Sequence, residues 1–169
     1  MSSTDTNPDD VKRQLFSQLD DVRAGMLGVD GARQHMQPMT HHADGEAQQI
    51  WFITSAKTDL VEAIGGGGTA QYCVVGEDHD YFACLRGPIE QVEDEAKLDE
   101  LWNAVVAAWF DDGREDSDVT LLRMTLNDGA IWTATDSAVV FGLQIAMANM
   151  DREKKPDVGE HHVVQFNRG

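Results

Sequence analysis

The sequence predicts a mainly β fold, a single barrel domain with a few added helices. Short extended segments separated by tight-turn dipeptides dominate the chain, whereas few stretches repeat apolar residues at helical spacing. A length of 169 residues with 41% hydrophobic composition is enough to bury one core without disulfides or structural metal. Closing the strands into a barrel removes the edges that they would otherwise expose. We expect one domain over residues 1–169, with flexible segments at 1–8 and 153–160.

Charge and composition argue against several classes of protein. The formal net charge of −17 arises from 30 acidic and 13 basic residues, so the protein repels nucleic-acid phosphates and anionic membrane surfaces. No run approaches the roughly 18 apolar residues that span a bilayer, and the N-terminus is polar and acidic. Two cysteines are too few for a disulfide framework. We expect a cytoplasmic protein that binds neither nucleic acid nor membranes.

In the first third of the chain, the sequence predicts two helices and a three-stranded antiparallel meander. Asn7 and Pro8 form a helix start, and apolar residues then recur at helical spacing as far as Val22. Three extended segments follow at residues 23–29, 32–43 and 48–54, separated by Asp30-Gly31 and Asp44-Gly45. Residues 58–64 predict a short helix that ends at the glycines 65–68, because glycine adopts the left-handed cap conformation freely.

Residues 70–76 and 81–92 predict a second hairpin around the four-residue loop 77–80. If Gly76 faces Tyr81, the register places Cys73 opposite Cys84. In a reducing compartment, two such thiols are more often small buried hydrophobes than a disulfide. We expect two buried, reduced cysteines, with a disulfide as the alternative.

The second half of the chain predicts one long helix followed by two strands, a further helix and a last strand. Residues 94–110 repeat apolar side chains along one helical face, from Leu98 to Trp109. An acidic turn at 111–118 precedes strands at 121–126 and 130–135. Asp136 is expected to cap a helix that reaches about residue 150, and residues 161–166 form the final strand.

The order of these segments, together with several short motifs, resembles a known family. The motifs are Gln37-Pro38-Met39, Trp51-Phe52-Ile53-Thr54, Gly87, Glu93-Asp94-Glu95-Ala96-Lys97, Leu101-Trp102, Ala108-Trp109-Phe110-Asp111-Asp112-Gly113, Leu121-Leu122-Arg123 and Ala130-Ile131-Trp132. Over about residues 8–166 the chain resembles the general-stress-protein branch of the pyridoxamine 5′-phosphate oxidase-like, FMN-binding split barrels. The resemblance implies a six-stranded antiparallel split β-barrel that forms a homodimer.

The resemblance also implies a flavin, FMN or FAD, in a groove between the two barrels. Gln37, Pro38, Met39 and Thr40 would run along the edge of the flavin ring, and Phe52, Ile53 and Thr54 would lie beside the ribityl chain and phosphate. Trp109 and Trp132 are expected either to cover the ring or to fill the core, whereas Trp51 and Trp102 are expected in the core.

Two positions depart from the family pattern where it supplies positive charge. Gln37 stands where the family carries arginine, and Leu60 stands where it carries lysine. Without a cation, a phosphate loses charge-assisted hydrogen bonds worth about 1.5–3 kcal/mol each. We therefore expect Lys57, with Thr54 and Thr58, to form the phosphate site, with Arg33 and Arg86 as alternative cations.

Other chemistries find little support in the sequence. The adjacent histidines His41-His42 and His161-His162 point to opposite faces of a strand, so we predict no metal site. No motif predicts a serine or cysteine nucleophile. Two functions remain open. The first is a flavin-dependent oxidoreductase or flavin carrier, and the second is a non-enzymatic, stress-related ligand-binding dimer that has lost tight flavin binding.

Overall fold

A computed structural model describes residues 7–134, 145–146, 149–150 and 159–166. Within these residues all strand pairs are antiparallel, which confirms the mainly β fold class. The strands are β1 Ala24–Val29, β2 Gln37–Thr40, β3 His42–Asp44, β4 Gln49–Ser55, β5 Gly68–Val75, β6 Tyr81–Val92, β7 Val119–Thr125, β8 Asp128–Ala134 and β9 Gly159–Gln165. The helices are α1 Pro8–Asp21, α2 Asp59–Ile64, α3 Glu95–Leu101 and α4 Ala104–Ala107, and Gly113–Glu115 form a 3₁₀ turn.

The sheet curls back on itself at His41. Its strands follow the order β2-β1-β5-β6-β7-β4-β3, so β2 and β3 occupy the two ends of this path. Only His41 separates β2 from β3 in the chain, and the two ends of the sheet must therefore lie close together. The single strand predicted at 32–43, and the meander built on it, are wrong. Residues 37–40 pair with β1, whereas residues 42–44 pair with β4.

Strand β6 pairs with two different strands along the same edge. Its first half pairs with β8 and its second half pairs with β7, while β5 pairs along its other edge. The change of partner occurs at Gly87, where a Cβ atom would lie 1.8 Å from the carbonyl oxygen of Thr125. Strands β7 and β8 confirm the predicted segments 121–126 and 130–135, although both pair with β6 rather than with each other.

The predicted hairpin of β5 and β6 is confirmed in its register. Gly76 donates its backbone N–H to the carbonyl of Tyr81 at 2.7 Å, and Cys73 lies opposite Cys84. The two short predicted caps are also confirmed. The Asn7 side chain accepts a hydrogen bond from the N–H of Asp9, and Gly65 ends α2 with a positive φ of 52°.

The main core fills the inside of the curled sheet and is closed by two helices. It is built from the alternate, inward side chains of the strands together with apolar residues of α1 and α2. A smaller cluster lies on the outside of β4 and β7, where Trp51, Leu98 and Leu121 are buried. Trp51 is therefore a core residue as expected, and Trp102 packs against this smaller cluster.

The single long helix predicted at residues 94–110 is wrong. Helix α3 ends at Leu101, Trp102 is extended, and Asn103 begins α4. The Asn103 side chain accepts hydrogen bonds from the N–H groups of Val105 and Val106 at 2.9 and 3.0 Å. This local cap competes with continuation of the helix. As a result, part of the predicted apolar stripe is not packed, and Trp109 is 82% exposed.

The C-terminal predictions are tested only in part. Strand β9 confirms the predicted final strand and pairs with β8. Residues 145–146 and 149–150 are helical, whereas the predicted helix start at Asp136 and most of the segment 153–160 lie outside the described residues. No helix in the described part of the chain has both the length and the apolar character needed to cross a bilayer.

Candidate functional site

An open slot lies between β2 and β4. Strand β3 pairs with β4 only as far as Trp51, and β2 pairs only with β1. The Cα atoms of β2 and β4 approach within 8 Å. Among the described residues, one edge of β2 and the matching edge of residues 52–55 therefore have no ladder partner. Such edges carry free N–H and C=O groups, which are suited to binding a planar heterocycle.

The predicted ring-edge residues alternate between the core and solvent along β2. Met39 is buried, Gln37 is half-buried, and Pro38 and Thr40 are exposed. The amide nitrogen of Gln37 lies 3.8 Å from the Met39 sulfur, so both side chains point to the same face. Proline is tolerated at Pro38 because β2 is an edge strand.

A buried polar network fixes the end of β2. His41 is 7% exposed, and its Nε2 donates to the carbonyl oxygen of Leu19 in α1 at 2.6 Å. Its Nδ1 lies 2.5 Å from the Tyr72 hydroxyl, which is also 3.0 Å from the carbonyl oxygen of Met39. Burial lowers the pKa of His41 and raises that of Tyr72. The pair is therefore neutral at physiological pH and holds β2 against α1 and β5.

The predicted β4 residues differ in what they offer to a ligand. Phe52 is fully buried and packs edge-to-face on Tyr72, with ring centroids 5.0 Å apart. Ile53 packs into the smaller cluster with Trp51. Thr54 is half-buried opposite Thr120 of β7. Residues 48 and 56 form backbone hydrogen bonds on the β7 side, so the backbone of Phe52 also faces β7 and that of Ile53 faces the slot. The side chains of Phe52 and Ile53 hold β4 in place.

The predicted phosphate residues Lys57 and Thr58 line one groove. This open groove of about 430 Å³ lies where β4 leads into α2, and its other walls are Ala56, Val61, Glu62, Gly65 and Gln91. The Thr58 hydroxyl donates to the carbonyl of Ser55 at 3.1 Å and accepts from the N–H of Val61 at 3.3 Å, so it also caps α2. The structure thus brings the predicted cation and one predicted hydroxyl together.

Lys57 forms an exposed ion pair. Its Nζ atom lies 2.9 Å from the carboxylate of Asp118, and this hydrogen bond raises the pKa of Lys57. Lys57 is therefore always protonated at neutral pH, and its side chain is exposed enough to reorient. Leu60, by contrast, is fully buried in the core, so the family's lysine position supplies no charge here.

The two alternative cations lie elsewhere. Arg86 is held by Asp30 at 2.6 Å on the outer face of the sheet. Arg33 borders a second groove of about 620 Å³ that it shares with the carboxylates of Asp30, Asp59 and Glu62. Those carboxylates repel a phosphate group. Lys57 is therefore the best-placed of these cations.

The two predicted ring-covering tryptophans are exposed rather than in the core. Trp132 is 44% exposed on β8 and stacks on His161, with ring centroids 4.9 Å apart. Strand β8 is four strand spacings from β2, or about 19 Å along the sheet. Trp109 projects from the end of α4.

Some residues that support the site could not be predicted from the sequence. Asp118, in the turn before β7, pairs with Lys57, and Gln91 of β6 lines the groove, and no local pattern in the sequence indicates these contacts. His41 lies between β2 and β3 rather than inside one strand, and it is buried whereas His42 is half-buried. Within the described residues, no group of three or more histidine, cysteine or carboxylate side chains could hold a metal ion.

Comparison with known proteins identifies the family. The model of the pyridoxamine 5′-phosphate oxidase-like family matches residues 10–157. A structure named general stress protein 26, from Jannaschia sp. CCS1, is 36% identical over 94% of this chain and 99% of that chain, with a TM-score of 0.77. No curated protein sequence matches the chain.

Two structures from Xanthomonas are also similar. A general stress family protein from Xanthomonas campestris pv. campestris is 32% identical over 78% of this chain and 92% of that chain, with a TM-score of 0.71. The general stress FMN/FAD binding protein from Xanthomonas citri is 32% identical over 76% and 92%, with a TM-score of 0.69. The chain therefore belongs to the pyridoxamine 5′-phosphate oxidase-like family, in its general-stress-protein branch, and has the split-barrel fold.

Proposed function

We propose that the protein binds FMN or FAD and acts as a flavin-dependent oxidoreductase or flavin carrier. One observation carries the proposal: the Lys57–Thr58 groove and the slot of unpaired strand edges both lie along β4 and the turn that follows it. A cation and a hydroxyl suit a terminal phosphate, and open backbone groups suit the edge of a flavin ring. The similar structure from Xanthomonas citri, which is named for FMN/FAD binding, supports the same ligand class.

Different residues of the site would bind different parts of the flavin. Lys57, Thr58 and Thr54 would hold the phosphate, and the backbone of residues 37–40 and 52–54 would line the ring and ribityl chain. When bound, the flavin itself supplies hydride or electron transfer. The protein orients it, and the fixed network around His41 keeps β2 from shifting. The two thiols, both free, fit a reducing cytoplasm, which we propose as its location.

We further propose that the working form is a homodimer that uses one apolar face of the sheet. Five adjacent strands, β1, β5, β6, β8 and β9, expose large apolar side chains on the same outer face. They are Met26, Val75, Phe82, Trp132 and Val163. Contiguous apolar surface of this kind is typical of a protein interface. A second copy seated here would bring its own Trp132 toward the neighbouring chain.

A second candidate function is a ligand-binding dimer without tight flavin affinity. The burial of Leu60, the neutral Gln37 and the ion pair of Lys57 with Asp118 favour it. In that case the apolar face would still support a dimer, but FMN would bind weakly or not at all. Affinity for the phosphate group separates the two candidates.

The test compares FMN with riboflavin, which lacks the phosphate, by quenching of flavin fluorescence. Lys57→Ala should weaken FMN binding about tenfold, the low end for a charge-assisted bond at an exposed site, and leave riboflavin affinity unchanged. Asp118→Asn should strengthen FMN binding, because it frees Lys57 from a competing carboxylate.

A matched control is Arg13→Ala, which removes an exposed cation from an exposed ion pair with Asp10 in α1. It should leave both affinities unchanged. Equal FMN affinity in the wild type and Lys57→Ala would remove Lys57 from the site. Failure of the wild type to bind FMN or FAD at all would reject the first candidate in favour of the second.

A further inference from the structure

The Arg33 groove adjoins the Lys57–Thr58 groove along α2. It has a volume of about 620 Å³ and lies between the turn after β1, residues 30–34, and Asp59, Glu62 and Ala63 of α2. Glu62 lines both grooves, so the two are neighbours. The volume is within the range of about 300–1,000 Å³ that is typical of small-molecule sites. A ligand with a phosphate beside Lys57 can therefore continue past Glu62 into the Arg33 groove.

The Arg33 groove lies at a polar edge of the outer sheet face, away from the apolar residues of the proposed dimer interface. Asp30 directly follows β1, and its carboxylate accepts hydrogen bonds from the side chains of Gln71 at 3.1 Å and Arg86 at 2.6 Å. Met26, the apolar residue on the same strand, lies about 13 Å away at the usual rise of a β-strand. The groove and the apolar face are therefore separate surfaces of the protomer.

The charges around Lys57 suit a phosphate that carries one negative charge. Lys57 is the only cation among the described residues that line its groove, and it pairs with Asp118, while Glu62 adds a second carboxylate. The terminal phosphate of FMN is a monoester and carries about −1.5 to −2 charges at pH 7. Each phosphate of FAD carries a single charge, because two of its oxygens are bonded to other groups. The two carboxylates therefore repel the FMN phosphate more strongly than either phosphate of FAD.

The Arg33 groove offers partners for hydroxyl and amino groups and for a flat ring. Among the described residues, the side chains of Arg33, Asp59 and Glu62 have no hydrogen bond or ion pair. The Gln34 side chain donates to the backbone carbonyl of Asp59 at 3.2 Å, which ties the turn after β1 to α2. Carboxylates accept hydrogen bonds from ribose hydroxyls and amino groups, and a guanidinium stacks on planar rings. These groups suit an adenosine, whereas they repel a phosphate.

We propose that the Arg33 groove binds the adenosine half of FAD, so that the chain binds FAD more tightly than FMN. The inference rests on the proposed flavin site, in which a phosphate lies beside Lys57. In FAD the adenosine is attached at the phosphate end of the flavin, which is the end where the two grooves meet at Glu62. The carboxylates of Asp59 and Glu62 accept hydrogen bonds from the adenosine, and Arg33 stacks on its adenine ring.

Calorimetric titration of the flavin-free, full-length protein with FMN and with FAD measures the two dissociation constants. The constant for FAD should be about tenfold lower, which corresponds to one added hydrogen bond to a charged group. FMN binding with equal or weaker binding of FAD would overturn the adenosine site and leave the flavin site in place. Binding of neither flavin would reject the proposed function, and this inference with it.

Two variants change the Arg33 groove alone. Asp59→Ala removes an acceptor, and Ala63→Leu fills part of the groove with a side chain that favours the helix. Each should weaken FAD binding about tenfold and leave FMN binding unchanged, because neither residue lines the Lys57–Thr58 groove. Unchanged FMN binding also shows that the variant is folded. Lys57→Ala is the matched comparison, since it should weaken both flavins alike. A preference for FAD that persists in both Asp59→Ala and Ala63→Leu would overturn the placement of the adenosine.

Discussion

Removing the Tyr72 hydroxyl tests how much the buried network at the sheet closure contributes to stability. Tyr72→Phe keeps the ring that packs on Phe52 but leaves Nδ1 of His41 without its partner in a buried site. An unsatisfied buried polar group costs about 1–3 kcal/mol. For a chain of this size, a loss of about 2 kcal/mol lowers the midpoint of thermal unfolding by about 4–8 °C.

Tyr81→Phe is the matched control for this variant. Tyr81 is equally buried, but its hydroxyl has no hydrogen-bond partner among the described residues. Its removal should leave the free energy of unfolding unchanged or raise it by up to about 1 kcal/mol. Urea unfolding followed by tryptophan fluorescence measures both variants. Equal stabilities for the two variants would refute the role of the Tyr72–His41 pair in holding the barrel closed.

Three further predictions concern pH, packing and assembly. Burial lowers the pKa of His41 and His42, so below about pH 6.5 the unfolded chain binds more protons than the folded chain. The free energy of unfolding should therefore fall between pH 6.5 and 5. A free energy of unfolding that stays constant over this range in urea titrations would contradict this. Gly87→Ala should destabilise the fold by about 3 kcal/mol, because the new Cβ meets a backbone oxygen. Gly66→Ala is the control, since its Cβ meets no atom and the change should have little effect. Equal midpoints of urea unfolding for the two variants would refute the close packing of β6 at Gly87. Phe82→Lys should shift the protein from dimer to monomer in analytical ultracentrifugation, and a dimer of unchanged affinity would exclude the proposed face.

Local signals in the sequence predicted the local parts of the structure. The Asn7-Pro8 start, the glycine end of α2 and the register of the β5–β6 hairpin each depend on a few adjacent residues, and all three are confirmed. The prediction of one long helix was wrong because the Asn103 side chain caps a new helix, and this local cap outweighs the apolar repeat on either side. Periodicity describes one face of a helix but not where a polar side chain interrupts it.

Long-range pairing was the part that sequence patterns did not predict. The break at His41 follows from its contacts with α1 and β5, which are distant in the chain. The branch of β6 at Gly87 depends on β7 and β8 arriving from the same side. At the candidate site, Lys57 and Thr58 line one groove, but the carboxylate of Asp118 that pairs with Lys57 belongs to the turn before β7.

The central proposal is a flavin site in each chain of a dimer, and its most direct measurement is the stoichiometry of FMN binding. Titration of the flavin-free protein by isothermal calorimetry, with mass determined by sedimentation at the same concentration, gives sites per chain and chains per particle. We expect saturable binding of one FMN per chain in a dimeric particle. Heat of dilution alone, with no flavin retained by the sedimenting protein, would contradict it.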